Sequence, residues 1–204
     1  MVRYCYPIPC LNDMLDELCE ATIFSTIDLK SGYYQIRIQE GHEWKTAFKT
    51  KFGLYELLDM PMGLSESPGT FLHVMHFVLR PYIAVFVVVY FDDILVFSKS
   101  LKDHFTHLRT VLQTLKKERL YANMDKCLFG VDKLVFLGFF VSSKGVHVDE
   151  SKINAIKTWP QPRNFQQVCS FFGIASFDHR FVKDFSTIAL PLHALSKKNA
   201  PFVW

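Results

Sequence analysis

The sequence predicts an α+β fold in which helices alternate with the strands of an antiparallel sheet, followed by a mainly helical segment. Three observations predict it: short alternating segments rich in β-branched and aromatic residues, longer segments with apolar residues at helical spacing, and a change to Phe-rich helical segments after Val148. The chain has 204 residues, of which 50% are hydrophobic and 21% charged. This composition is sufficient for a buried core and excludes a disordered tail.

The first hundred residues predict two helices and six strands. Each helix has apolar residues three or four positions apart and a suitable start, with Asn12 or Asp13 as N-cap and Pro68 in a first turn. Each strand segment alternates or is continuously apolar. In chain order the elements are a helix at 12–19, strands at 22–28, 34–39, 45–52 and 55–58, a helix at 67–79, and strands at 85–90 and 94–97 joined by a tight hairpin.

The second hundred residues begin with the strongest helical pattern, at 101–120, which has one apolar and one basic face. A strand pair at 134–141 and 146–148 follows, and a new helix begins at Asp149. Two or three short helices complete the chain. We therefore predict a boundary near Val148, with residues 1–148 in one domain and 149–204 in another.

Charge and cysteine content narrow the class of protein. Residues 1–100 hold 8 Lys and Arg against 12 Asp and Glu, and residues 101–204 hold 15 against 8, so net charges of −4 and +7 stand side by side. An acidic half suits cation binding and a basic half suits a polyanion. Five cysteines without a C-x-x-C pair argue against a disulfide framework. The absence of a visible secretory signal leads us to expect an intracellular protein, in a cytoplasmic particle or in the nucleus.

The longest apolar stretch, 83–97, is interrupted by Asp92 and Asp93, which argues against a membrane span. Two adjacent carboxylates between apolar runs repel each other unless a cation or a proton neutralises them. A divalent cation with oxygen ligands, Mg²⁺ or Mn²⁺, is one interpretation. The other is a solvated hairpin turn, since Asp is a common turn residue. The dipeptide alone leaves both open.

Asp28 supplies a third carboxylate at the end of a predicted strand. If that strand lies beside the Asp92-Asp93 hairpin, three carboxylates meet at one sheet edge. Such a cluster can hold two metal ions about 3.5–4 Å apart, which activate an attacking oxygen and stabilise a leaving one in phosphoryl transfer. By itself, Asp28 would be an ordinary strand-end acid.

Five motifs occur in a fixed order along the chain. They are Asp28-Leu-Lys-Ser-Gly-Tyr-Tyr-Gln-Ile, Trp44-Lys-Thr-Ala-Phe, Met60-Pro-Met-Gly-Leu, Tyr90-Phe-Asp-Asp-Ile-Leu-Val and Phe136-Leu-Gly. From Tyr6 to Trp204 the sequence resembles the reverse transcriptase of gypsy-type LTR retrotransposons. The resemblance implies a right-hand polymerase palm with partial fingers at 1–148. It also implies a small helical thumb or connection region at 149–204, leading toward an RNase H domain.

The resemblance also implies an activity and its partners. The activity is RNA-directed DNA synthesis, in which a primer 3′-hydroxyl attacks a deoxynucleoside triphosphate (dNTP) with the help of two Mg²⁺ or Mn²⁺ ions. The implied partners are an RNA or DNA template with its primer, dNTPs and other segments of the retroelement polyprotein, with no membrane.

Roles carry over to the positions that match the family's motifs. The metal-binding catalytic residues are Asp28, Asp92 and Asp93, with the Leu29 carbonyl as an extra ligand. The resemblance places Tyr33 below the sugar, where its ring rejects a 2′-hydroxyl. It also places Met62 and Gly63 under the nucleotide and Lys126 near the triphosphate. Leu137 and Gly138 correspond to the primer-grip hairpin. For Tyr33 ordinary packing beside Tyr34 is the alternative, and for Lys126 a solvated lysine.

Some positions depart from the family or allow another interpretation. Glu66 adds negative charge near the expected path of template or nucleotide, and Asp178 weakens a surface expected to touch nucleic acid. His104 and His107 have helical metal-pair spacing, but the helix explains both as surface residues. The Phe residues after 170 are better explained as the core of the second domain than as a base-stacking platform.

Two other functions remain to be separated from polymerisation. A non-catalytic retroelement remnant, or a co-opted nucleic-acid-binding protein, would keep the palm without turnover. A two-metal nuclease or nucleotide cyclase would use the carboxylates alone. The sugar-gate position at Tyr33 and the hairpin at Leu137-Gly138 disfavour this last class, because neither chemistry needs them.

We expect this chain to bind primer–template but to extend it only near background. By comparison with the family, the 27 residues before Asp28 leave out most of the fingers, and Pro201-Phe-Val-Trp204 precedes an RNase H domain that is absent, as are protease and integrase. Phosphoryl transfer needs a positioned triphosphate. Binding uses the distributed basic charge and should weaken steeply with salt. Primer extension and binding assays test this, and efficient extension by the chain alone would contradict it.

Overall fold

The computed structural model describes residues 6–7 and 9–195, so that Cys5 and the Pro201-Phe-Val-Trp204 stretch lie outside the described residues. The chain divides into two compact units, residues 1–134 with 142–145 and residues 135–141 with 146–204. The segment 135–141 belongs to the second unit, although it precedes Val148 in the chain. That the second unit is a thumb or connection region stays a prediction. Within the described ranges, no helix is long and apolar enough to cross a membrane.

A four-stranded antiparallel sheet forms the centre of the first unit. Its strands are β1 (Ile23–Asp28), β4 (Val87–Tyr90), β5 (Asp93–Ser98) and β6 (Leu128–Val131), in the order β4-β5-β1-β6. A separate hairpin consists of β2 (Phe48–Thr50) and β3 (Gly53–Tyr55). Because the order brings β1 beside β5, elements far apart in sequence become neighbours at the sheet's centre.

Helices α2 (Ser67–Leu79) and α3 (Leu101–Lys117) pack on the sheet, and a short α1 (Leu11–Asp16) precedes it. The Ser100 hydroxyl caps α3 by accepting from the Asp103 N–H, and Pro68 occupies the first turn of α2. Together the helices and strands bury one continuous apolar cluster. It includes Ile27, Phe71, Leu72, Met75, Leu79, Val87, Val89, Ile94, Val96, Val111 and Leu115. This core fixes the position of β1 and β5, whose ends carry the acidic residues.

The strand predicted at 34–39 is not formed. Residues Gly32–Gln35 make a short 3-10 helix, and the next residues meet 58–60 only at an isolated bridge. The Ile38 N–H donates to the Leu58 carbonyl at 2.9 Å, and the Met60 N–H donates to the Ile36 carbonyl at 2.8 Å. Half-burial of the two isoleucines produces the alternation in the sequence, but the pairing is too short for a strand.

Strand β6 was not predicted because a glycine interrupts its pattern. Gly130 has φ +62°, in the left-handed region that favours glycine, and the register with β1 shifts between Phe24 and Thr26. The Gly130 N–H donates to the Ser25 hydroxyl at 2.9 Å instead of to a backbone carbonyl. Such a bulge is recognisable only once the partner strand is known.

The second unit contains helices α4 (Glu150–Lys157), α5 (Phe165–Phe177) and α6 (Phe185–Leu195). The sheet before them has three strands, β7 (Lys133–Phe136), β8 (Phe139–Ser142) and β9 (Gly145–Val148), where the sequence predicted two. The first predicted strand is split at Leu137-Gly138, where both residues have positive φ. A two-residue hairpin turn requires this conformation, but leucine is not a typical turn residue, so the sequence did not indicate a turn here.

Asp178 is buried, which contradicts its predicted place on a nucleic-acid-binding surface. Its side chain is 5% exposed and lines an apolar cavity of about 470 Å³ with Phe181 and Phe185 among others. Neither carboxylate oxygen has a hydrogen-bond partner among the described residues, and burial raises the pKa of Asp178. Since α5 ends just before Asp178, its side chain turns into the helical core instead of outward.

The histidine pair in α3 is also placed differently from the surface position predicted. His104 is 2% exposed, and its Nε2 and Nδ1 lie 2.7 Å and 2.9 Å from the hydroxyls of Ser25 and Ser98. His107 Nδ1 lies 2.8 Å from the same Ser98 hydroxyl, and its ring stacks on Phe86 at 3.9 Å. The two histidines therefore join a buried polar network between α3 and the sheet.

This network should make folding stability depend on pH. Burial, with a smaller effect from His107, lowers the pKa of His104 below its ordinary 6.5, so the unfolded chain binds this proton more readily. Stability should therefore fall as the pH drops below 6.5, by at most about 1.4 kcal/mol per pH unit. Urea unfolding at pH 7.5, 6.5 and 5.5 measures the slope.

A His104→Gln variant should lack this part of the slope, whereas His42→Gln, at an exposed position, should keep it. Equal slopes in wild type and His104→Gln would contradict the assignment.

Candidate functional site

Two carboxylates face each other across the central strands. In the antiparallel pairing of β1 with β5, Asp28 is opposite Asp93, and in the pairing of β4 with β5, Tyr90 is opposite Asp93. Directly opposed residues in such a pair have Cβ atoms about 4.5–5.5 Å apart, and like charges there repel. The register thus confirms the juxtaposition of strands on which a three-carboxylate site depends.

The hairpin between β4 and β5 holds the third carboxylate. Its two connecting residues are Phe91 and Asp92, and Phe91 has φ +50°. A bulky residue in the left-handed region is strained, so the surroundings must hold it there. The Phe91 ring meets Tyr90 edge to face at 4.7 Å and packs against the apolar core. Anchoring of this ring fixes the turn and so the position of Asp92.

Asp92 is the least satisfied acid of the site. Its Oδ1 is buried and has no hydrogen-bond partner in the described part of the chain. Burial raises the pKa of Asp92, and the charges of Asp93 and Asp28 raise it further. The pKa of Asp93 is raised by burial and by Asp28. The positive charge near these two carboxyl groups is therefore too small to balance burial and the neighbouring acids.

Lys126 supplies positive charge beside the carboxylates. Its Nζ lies 3.7 Å from Asp28 Oδ2, and its positive charge opposes the rise in the pKa of Asp92 and Asp93. Its side chain is 66% exposed, so the pair contributes little to stability. The Asn123 N–H donates to the Asp28 carbonyl at 2.8 Å and fixes the segment that carries the lysine. Lys126 stands at the carboxylates; its approach to a triphosphate stays a prediction.

The carboxylates share one edge without forming a closed cage. Among the residues that the structure describes, no three His, Cys, Asp or Glu side chains are grouped as a ready metal site. The chemistry of the donors nevertheless fits a hard divalent cation, since carboxylate oxygens are its preferred ligands and one of them is buried with no hydrogen-bond partner in the described ranges. A cation at this edge would relieve the repulsion between the acids.

Tyr33 lies beside this edge. Its ring packs on Phe71 of α2 at 5.0 Å, and its pKa is raised by burial and by the negative charge of Asp92. The ring therefore has a packing partner in Phe71, and its role toward the sugar stays a prediction. Leu29, whose carbonyl was predicted as a ligand, is buried and forms a bridge with Ala122.

The turn before Tyr33 depends on two residues in different ways. The residue with positive φ is Ser31, at +51°, and not Gly32. Gly32 is required for space, since a Cβ there would lie 2.8 Å from Cζ of Phe71. The missing side chain lets the Tyr33 segment approach α2 closely.

Gln35 is a site residue that the sequence did not single out. Its Nε2 donates to the carbonyls of Lys30 and Tyr121 at 2.6 Å and 2.9 Å, and its Oε1 accepts from the Tyr121 N–H at 2.7 Å. These bonds tie the segment after Asp28 to the one before Lys126. A glutamine two residues after Tyr33 gives no signal of such a role by itself.

Four other positions were predicted for the site, namely Met62, Gly63, Leu137 and Gly138. Met62 is 66% exposed on the loop before α2, and Gly63 has φ +98° with open space around it. None of the described hydrogen bonds or ion pairs joins them to the acids. Leu137 and Gly138 form the turn between β7 and β8 in the second unit. Their roles toward nucleotide and primer stay predictions.

Comparison with known proteins places this geometry in a family. Residues 2–141 match the family described as reverse transcriptase (RNA-dependent DNA polymerase). The chain is 38% identical over 192 residues to the retrovirus-related Pol polyprotein from transposon opus of Drosophila melanogaster, and 36% identical over 199 residues to the transposon Tf2-3 polyprotein of Schizosaccharomyces pombe. These matches cover 94% and 98% of this chain but only 19% and 15% of the relatives.

Solved structures agree with the fold. The foamy viral protease-reverse transcriptase matches with a TM-score of 0.87 and 25% identity in a complex with double-stranded DNA, over 96% of this chain and 34% of that one. In a complex with an RNA/DNA hybrid it matches with a TM-score of 0.82 and 25% identity, over 97% and 27%. The α+β palm predicted from the sequence is therefore confirmed, and the chain belongs to the reverse transcriptase (RNA-dependent DNA polymerase) family.

Proposed function

We propose that this chain carries the polymerase centre of a retrotransposon Pol polyprotein. The reaction is RNA-directed DNA synthesis, in which a dNTP is added to the 3′-hydroxyl of a primer paired with an RNA or DNA template. The observation that carries the proposal is the opposition of Asp28 and Asp93 next to Asp92, whose buried Oδ1 has no hydrogen-bond partner in the part of the chain that the structure describes. Family membership sets the reaction class, and the carboxylate edge supplies a centre for it.

The primer 3′-hydroxyl releases its proton to solvent, and its oxygen bonds to the α-phosphorus of the dNTP. The bond from that phosphorus to the bridging oxygen breaks, and pyrophosphate leaves with the electron pair. Asp28, Asp92 and Asp93 concentrate negative charge where the ions that neutralise the phosphates are needed. Lys126 adds one positive charge beside Asp28. Positioning and electrostatic stabilisation are the main contributions in this reaction class.

Reverse transcriptases generally use divalent metal ions. For this chain we propose two ions, Mg²⁺ or Mn²⁺, held by Asp28, Asp92 and Asp93 with the Leu29 carbonyl. When bound, such ions lower the pKa of the attacking hydroxyl and stabilise the leaving oxygen. The raised pKa of Asp92 and Asp93 and the orphaned Oδ1 support this assignment, because both features express a shortage of positive charge.

Tyr33 accounts for the choice of deoxynucleotides in this proposal. Its ring is held against Phe71 and lies close enough to Asp92 to sense its charge. A rigid ring at that place leaves room for deoxyribose and clashes with a 2′-hydroxyl. Met62 and Gly63 are proposed to lie under the nucleotide, where the missing side chain of Gly63 leaves the backbone accessible.

Nucleic acid is the proposed macromolecular partner. The foamy viral enzyme matched by this fold was solved with double-stranded DNA and with an RNA/DNA hybrid. In this chain the net charge of +7 over residues 101–204 supplies the attraction for such a polyanion. The hairpin at Leu137-Gly138 is proposed to hold the primer end. Other segments of the polyprotein are further proposed partners.

A second function, nucleic-acid binding without turnover, is favoured by one observation. The acids do not form a closed metal site in the described ranges, and Lys126 stands beside one of them. Such a protein would bind primer–template in a salt-sensitive way and would not need metal at the carboxylates. Metal binding therefore separates the two functions.

The test of the proposal is metal binding at the carboxylates. Titration of Mn²⁺, followed by electron paramagnetic resonance, should reveal a saturable site in the wild type. The Asp92→Asn, Asp93→Asn double variant should lose about tenfold or more in affinity, because two anionic ligands are removed.

The matched control is Asp125→Asn, Asp132→Asn, which removes two exposed acids of the same unit and should bind Mn²⁺ like the wild type. Equal binding by the wild type and the Asp92, Asp93 variant would contradict a metal site there.

Replacement of Tyr33 tests the sugar selection. Tyr33→Ala should raise the use of ribonucleotides relative to deoxynucleotides by about tenfold or more, since the clash with the 2′-hydroxyl is removed. Tyr33→Phe keeps the ring and should keep the discrimination. Single-nucleotide extension with Mn²⁺, followed over long incubations, measures the ratio.

Tyr34→Ala is the control, because Tyr34 is the neighbouring exposed tyrosine. If Tyr33→Ala and Tyr34→Ala discriminate equally, Tyr33 serves only in packing.

A further inference from the structure

The turn at Leu137-Gly138 has an unusual backbone for its sequence. Leu137 has φ +50° and Gly138 has φ +82°. Glycine adopts this conformation freely, whereas leucine adopts it at a cost. Something in the surroundings must therefore hold this tip in place.

Lys152 of α4 contacts this tip directly. Its Nζ donates to the Gly138 carbonyl at 2.7 Å. The same ammonium group lies 4.2 Å from the ring centre of Phe177 and 5.3 Å from that of Phe139. The two rings stack on each other at 5.0 Å with an interplanar angle of 10°. One lysine thus joins the hairpin tip, the strand after it and the end of α5.

The contact also leaves little room for a side chain at position 138 while Lys152 stays in place. A Cβ on Gly138 would lie 2.6 Å from Lys152 Nζ and 3.7 Å from the ring of Phe177. A larger residue would have to displace the ammonium group from the carbonyl. Glycine at position 138 therefore suits both the positive φ of the turn and the close approach of Lys152.

We infer that Lys152 is a positioning residue that fixes the hairpin tip, and through it the 3′ end of a bound primer. This second half rests on the proposed function of the Leu137-Gly138 hairpin. A hydrogen bond from a charged group is stronger than one between neutral groups, and a cation held by aromatic rings gains further. The tip is therefore fixed by an interaction that a neutral side chain of the same length cannot replace.

Lys152 is half-buried, and it forms no close ion pair with the described residues. Its charge opposes the rise that burial causes in the pKa of Asp178, and it is the weakest of the influences that lower the pKa of Asp149. Among the described residues, the hydrogen bond of its ammonium group goes to the hairpin tip. This arrangement favours positioning of the tip over a general contribution to helix packing.

The experiment compares Lys152→Met with Lys157→Met. Methionine keeps most of the length and packing of lysine and removes the charge and the donor. Lys157 lies on the same helix and is exposed, so its substitution controls for the loss of one positive charge. Circular dichroism checks that both variants keep the helical content of the wild type.

The first readout is amide hydrogen exchange of peptides covering 134–141 in the free protein. Lys152→Met should exchange about tenfold faster there than the wild type and Lys157→Met, as expected for loss of a charge-assisted hydrogen bond. The second readout is the fluorescence of 2-aminopurine at the 3′ end of a DNA primer on an RNA template. Its change on binding should be lost in Lys152→Met and kept in Lys157→Met.

Unchanged exchange in Lys152→Met would overturn the inference. Faster exchange with an unchanged 2-aminopurine signal would overturn its primer half. If the wild type binds primer–template without any 2-aminopurine change, the proposed function of the hairpin fails, while the exchange result still decides whether Lys152 fixes the tip.

Discussion

The repulsion between three carboxylates at the edge of the central sheet is the constraint on which the site depends. Asp28 and Asp93 are opposed by the register of β1 and β5, and Asp92 follows from the turn next to them. A register shift of one residue would send one of the opposed acids to the other face of the sheet. The core under α2 and α3 fixes that register, so the burial of apolar residues determines where the charges meet.

Several residues around the carboxylates have strained backbone conformations or unsatisfied polar atoms, which lower the stability of the fold. Phe91 and Ser31 adopt positive φ, and a side chain at Gly32 would collide with Phe71. Among the described residues, one carboxylate oxygen of Asp92 has no hydrogen-bond partner. Strain and unsatisfied polar atoms of this kind concentrate at functional sites. The buried network of His104 is the contrasting case, since its polar groups find partners and serve the packing of α3 on the sheet.

Sequence reasoning was most successful where one residue type carries one signal. Helix α2 was predicted with its bounds, because Pro68 and the apolar spacing define it, and the fold class followed from the order of the elements. It failed where the conformation or burial of a residue depends on a contact with a distant segment. Gln35, the bulge at Gly130, the burial of His104 and the tip held by Lys152 all depend on residues distant in the chain. Local pattern cannot show which distant segment supplies a hydrogen-bond partner.

The most direct measurement of the central claim is the pKa of the Asp92 carboxyl group by ¹³C NMR, with and without Mg²⁺. Without metal, burial and the neighbouring acids should hold this pKa above the ordinary 3.8. With saturating Mg²⁺ it should fall below its metal-free value, because a bound cation favours the ionised form. A pKa that is ordinary without metal, or that Mg²⁺ does not change, would contradict the account of this edge as a metal-binding polymerase centre.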